Sequence, residues 1–121
     1  MGAALDDASI DPSEIGYVNA HGTSTPLNDA AEAPAIRKLF SAPPPVTSVK
    51  GVVGHMIGAA GVLSIRDGVA PPTANVDQVG DDIWLDIVTG SARAVGPRPV
   101  ISNSFGFGGH NASLVLAPAD D

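Results

Sequence analysis

The chain has 121 residues, 44% of them hydrophobic, and a mean hydropathy of +0.19; this suits one packed domain and excludes a disordered chain. Six basic residues against 13 acidic ones give a net charge of -7 with no basic stripe for nucleic acid, and no apolar run reaches the roughly 18 residues needed to span a bilayer. Zero cysteines exclude disulfides and thiolate metal sites, and with no basic-then-apolar leader the expected location is the cytoplasm.

Residues 3–8 read as the last turn of a helix whose beginning is missing, followed by a turn at Asp11-Pro12-Ser13. The β-branched and aromatic run 15–20 predicts a buried strand that delivers His21 to its C-terminal edge, the edge where open α/β sheets bind ligands. Thr25-Pro26 starts a helix, with a hydroxyl cap and a proline at the first helical position. Asp29 and Glu32 suit its positive end. This helix runs to about Phe40 despite Pro34, which predicts a kink or a cost of ~3 kcal/mol. A stiff connector, Ala42-Pro43-Pro44-Pro45, precedes a strand over 46–49.

Residues 55–66 predict a short packing helix rich in Gly and Ala, stopped at Gly68. Pro71-Pro72 opens an extended stretch, and 83–88 alternates in the manner of a strand. Residues 100–102 and 113–116 predict two strands flanking a glycine turn as a hairpin. With no repeat or linker, residues 1–121 form a single domain.

Three segments carry the chemistry. His21, beside Thr23, Ser24 and Thr25, is a general acid/base or an oxyanion donor, or else a loop histidine serving a helix cap. Lys50 and His55 are spaced to point at one spot, and a cation there favours neutral imidazole; the plainer readings are a solvated strand end and a structural donor. Phe105-Gly106-Phe107-Gly108-Gly109 does not read as a phosphate cradle, because a strand follows it rather than a helix. Asn103 and Asn111 fix this turn. The histidines lack metal-ligand spacing, so no metal is expected.

Four motifs occur in the order of a known family: Asn19-Ala20-His21-Gly22-Thr23-Ser24-Thr25-Pro26; Ser48-Val49-Lys50, continuing to Gly54-His55-Met56-Ile57-Gly58-Ala59-Ala60-Gly61; Pro71-Pro72-Thr73-Ala74-Asn75; and the run from Asn103 to Asn111. Together they resemble the β-ketoacyl-acyl-carrier-protein synthases, most of all the elongating condensing enzymes of type II fatty acid synthesis. The resemblance implies an α/β fold, namely the C-terminal part of the second half of a thiolase-like fold, a mixed sheet with packed helices. It implies decarboxylative Claisen condensation of an acyl thioester with a malonyl thioester in fatty acid synthesis, or in polyketide synthesis as the alternative. His21 and His55 resemble the histidines that polarise the malonyl thioester, and Lys50 the lysine that organises their pocket. Thr23 and Thr25 resemble the hydroxyls that hold phosphopantetheine, and Phe107 with Phe105 the aromatic gate and oxyanion turn.

In that family the nucleophilic cysteine sits on the other half. The implied partners are therefore an acyl carrier protein, a cysteine-bearing N-terminal half and, in the complete enzyme, a second copy. No tightly bound cofactor is implied, since the substrates ride on phosphopantetheine. A non-catalytic dimer partner, or a degenerate remnant, is the other reading. One departure stands out: the stretch after Gly61 lacks about seven residues, two helical turns, including a glutamate that would face Lys50.

Overall fold

The computed structural model describes residues 1–55 and 67–119. In chain order the elements are α1 (Gly2–Ala8), a 3-10 turn (Pro12–Glu14), β1 (Tyr17–Asn19), α2 (Pro26–Leu39), β2 (Val46–Thr47), α3 (Lys50–Val53), β3 (Val69–Ala70), β4 (Arg93–Ala94), β5 (Val100–Phe105), a second 3-10 turn (Phe107–Gly109) and β6 (Asn111–Leu116). The main sheet has the order β2-β1-β5-β6; β1 runs parallel to β2 and β5, and β6 closes the hairpin antiparallel to β5. This is the mixed α/β arrangement expected.

Central β1 is covered on both faces, so none of its residues reaches solvent. Val18 faces a core of Leu5, Ile15, Ile36, Phe40, Val46 and Ile101, to which α1 contributes Leu5 and α2 Ile36. Tyr17, one residue earlier, points the opposite way into a smaller cluster with Ala70, Val88 and Val100, as the two-residue period of a strand requires. Arg98 ties the turn before β1 to the start of β5 by donating to the Ser13 and Glu14 carbonyls. Helix α2 continues through Pro34, whose ring lies on the exposed face, where water can serve the carbonyl that loses its partner.

Three expectations change. The predicted strand over 83–88 reduces to a single bridge, Ile87 to Val46, with Val88 N donating to the Val46 carbonyl at 2.9 Å. Trp84 instead projects into solvent, 72% exposed, so the alternating pattern is spent on a loop laid along the edge of β2. A helix forms at Lys50–Val53, ahead of the expected start at His55, and His55 lies beyond it after Gly54. The hydroxyl cap at Thr25 is not made, because Thr25 Oγ1 lies 3.0 Å from Thr23 Oγ1. The rest of the 55–66 helix and the shortened stretch after Gly61 lie outside the described residues.

Candidate active site

Because β1, β2 and β5 are parallel, their C-terminal ends share one edge of the sheet, and the three motif segments leave from it: His21 after β1, Lys50 after β2 and Phe107 after β5. The fold thus gathers residues that lie far apart in sequence.

His21 is buried, 7% exposed, and held from three sides. Its amide donates to Glu32 Oε1 at 2.9 Å, and the Gly22 amide donates to Glu32 Oε2 at 3.0 Å. Its ring Nδ1 accepts from the Phe105 amide at 3.2 Å. An Nδ1 that accepts carries no proton, so the neutral ring bears its proton on Nε2, where it is available as a donor. Burial lowers the His21 pKa from its ordinary 6.5, and the Lys50 charge lowers it further, against the opposing pull of Glu32. Neutral imidazole is therefore the working form near pH 7.

The His55 ring meets His21 edge to face, with centroids 5.5 Å apart and planes at 76°. Phe105 packs on His21 from another side at 5.3 Å and 45°. Burial also lowers the Lys50 pKa, and among the described residues the Glu32 charge opposes this. Among the described residues that carboxylate is thus an anion felt by Lys50, whose expected family partner belongs to the stretch after Gly61.

Not every candidate enters this cluster. Phe107 stands wholly exposed on its glycine turn, with Gly108 and Gly109 at positive φ. Thr23 and Thr25 pair their hydroxyls with each other at 3.0 Å at the start of α2, which leaves one of the two protons for another acceptor. A cavity of about 530 Å³ opens between α2 and the loop before Val88, lined by Thr25, Ser48, Thr73 and Ile83 among others; neither His21 nor His55 lines it. Among the described residues no group of three or more His, Cys, Asp or Glu is placed to hold a metal ion.

Sequence reasoning missed Glu32. Read there as a charge suiting the start of α2, it is 4% exposed and also accepts from Asn103 Nδ2 at 2.9 Å. Asn103 in turn accepts from Ser113 Oγ at 2.8 Å, so it links β5 to β6 within the ladder and ties both to the His21 loop. The signal was in the sequence: Glu32 falls on the same helical face as Ala33 and Ile36, and a lone carboxylate on an apolar face needs donors.

Comparison with known proteins supplies the context. Residues 1–77 match the family described as Beta-ketoacyl synthase, C-terminal domain. The 3-oxoacyl-[acyl-carrier-protein] synthase 2 of Coxiella burnetii (strain RSA 493 / Nine Mile phase I) is 47% identical over 131 residues, an alignment that takes in 100% of this chain and 32% of that protein. Among solved structures, the ishigamide ketosynthase/chain length factor superposes with a TM-score of 0.89 at 39% identity, covering 98% of this chain and 32% of that one. A β-ketoacyl synthase from Burkholderia phymatum STM815 gives 0.87 at 40% identity, covering 99% of this chain and 31% of that one. The chain spans about a third of the length of these proteins. It belongs to the β-ketoacyl synthase family, corresponds to the C-terminal part of its members and takes their thiolase-like α/β fold.

Proposed function

We propose that this chain supplies the histidine half of a condensing active site, acting on malonyl thioesters presented by an acyl carrier protein. The observation that carries the proposal is the His21 ring, held neutral with Nε2–H as its free donor and with His55 against its edge. In the step so served, the bond from the malonyl carboxylate to its α-carbon breaks and CO2 leaves. The electron pair passes into an enolate whose oxygen receives the imidazole N–H bonds. Those bonds strengthen only as the charge develops, which is what lowers a barrier. The enolate carbon then attacks an acyl thioester on a cysteine and expels the thiolate. The 121 residues contain no cysteine, so that nucleophile belongs to another segment.

In this reading Lys50 organises the pocket, Thr23 and Thr25 hold the pantetheine arm, Phe105 backs His21, and Phe107 acts as a gate whose full exposure leaves it free to swing. The carrier-protein partner is supported by the name of the Coxiella burnetii relative. Fatty acid synthesis is the pathway proposed, with polyketide synthesis as the alternative; a second copy and a cysteine-bearing half complete the enzyme. No helix among the described residues is long and apolar enough to cross a membrane, and a cytoplasmic setting is proposed with the rest.

The test is malonyl-carrier decarboxylation by the chain combined with a cysteine-bearing β-ketoacyl synthase half. Restored turnover that falls ~100-fold or more in His21→Ala is the expected result. Turnover indifferent to His21→Ala would overturn the proposal. The missing cysteine favours a second reading, a non-catalytic partner in a ketosynthase dimer, and a stable complex with no decarboxylation would select it.

A further inference from the structure

Pro71-Pro72-Thr73-Ala74-Asn75 is distinctive in the sequence, yet none of its side chains has a role in the chemistry above. The fold lays this segment across the ends of two elements that do. Thr47 Oγ1 donates its one proton to the Pro71 carbonyl at 2.7 Å. In the 3.3 Å contact between the Thr47 and Thr73 hydroxyls, Thr73 is then the donor, while its oxygen accepts from the Ser48 amide at 3.0 Å. Ser48 Oγ in turn donates to the Gly22 carbonyl at 2.8 Å, on the residue that follows His21. A Cβ on Gly22, where φ is +36°, would lie 2.8 Å from Ser48 Cβ, so the serine reaches the loop only because this position is glycine.

The other end of the segment grips α3. Asn75, in the left-handed region with φ 59°, donates from Nδ2 to the Gly51 carbonyl at 2.9 Å. A Cβ on Gly51 would lie 2.5 Å from the Ala74 carbonyl, so the two backbones are in close approach beside Lys50. A four-residue helix with one glycine and two β-branched valines has no stability of its own and needs such an external hold.

We propose that residues 71–75 are a positioning clasp: Thr73, through Ser48, sets the loop that carries His21, and Asn75 sets the helix that carries Lys50. The spacing of the two basic groups is thereby fixed by a segment that supplies neither. Its meaning for catalysis rests on the condensing-site reading, but its test does not require turnover.

The experiment follows the His21 ring by 15N NMR titration in the full chain and in Thr73→Val, Thr73→Ser and Asn75→Gly. The groups acting on His21 are Lys50 and His55, which lower its pKa, and Glu32 and Asp29, which raise it. Loosening the Ser48 arm hydrates the loop, and freeing α3 withdraws the Lys50 charge, so Thr73→Val and Asn75→Gly both move the His21 titration upward toward 6.5. Thr73→Ser keeps the hydroxyl and keeps the wild-type titration. A purely structural role lowers the melting temperature without moving the His21 titration; that outcome in both variants overturns the clasp. If Thr73→Val does not fold, Asn75→Gly, which preserves the left-handed backbone, decides by the same readout. Failure of malonyl decarboxylation with intact titration shifts would overturn the functional reading and leave the clasp standing.

Discussion

The two histidines meet edge to face, yet the chain secures them by different means. His21 leaves a strand buried on both faces, and its amide, its ring and the next peptide are bonded to α2, β5 and Ser48. His55 lies exposed after a four-residue helix and a glycine at φ +70°. The first is oriented by the core of the domain and the second lies on its surface, so damage to the core and damage to the surface have separable effects on the pair.

The comparison breaks most completely at Glu32. Glu32→Ala leaves the buried His21 and Asn103 donors and the half-buried Gly22 amide without their acceptor and should cost about 4 kcal/mol in urea unfolding. A cost below about 1 kcal/mol would mean that the carboxylate does not clamp the loop. Next comes Ile36→Ala, which empties the core beneath α2 for about 3 kcal/mol. On the other side of the comparison, Val52→Ala on exposed α3 and Phe107→Ala on the glycine turn should each change stability by less than about 0.5 kcal/mol.

The smallest effect is a pH slope. Because the folded-state pKa of His21 lies below 6.5, its contribution is fully present above pH 6.5 and is lost as pH falls through the folded value, where the unfolded chain binds the proton more readily. Urea midpoints should therefore decline on acidification below pH 6.5, and His21→Gln should flatten that decline. An identical slope in the variant would assign the acid sensitivity to other groups.

Where side-chain pattern and fold agree, the sequence was legible. The strand before His21, the helix after Pro26 and the hairpin around the glycine turn each carry a strong local signal, and all three form. The gathering of His21, Lys50 and Phe105 at one edge rests on the parallel pairing of β1 with β2 and β5, which local pattern does not mark beyond the strand that delivers His21. What local pattern could not give was structure imposed from a distance. Helix α3 contains poor helix formers and exists under the hold of Asn75, 24 residues on. The pairing of β3 with β4 joins two-residue strands that no periodicity marks. Thr25 looked like a cap because its partner, Thr23, is invisible to a rule about helix ends. Glu32 looked like a surface charge until Asn103, 71 residues away, was seen to face it.

The hydrogen bond from the Phe105 amide to His21 has one more consequence. The ladder between β1 and β5 ends at Asn19 opposite Ser102, and beyond it the imidazole nitrogen takes over as acceptor for β5. Strand register thus selects a tautomer. A slip of one residue between these strands would turn the Phe105 amide away, release Nδ1 and let the ring proton settle on either nitrogen. The alignment of the β-sheet is, for this chain, also an instruction about where a proton sits.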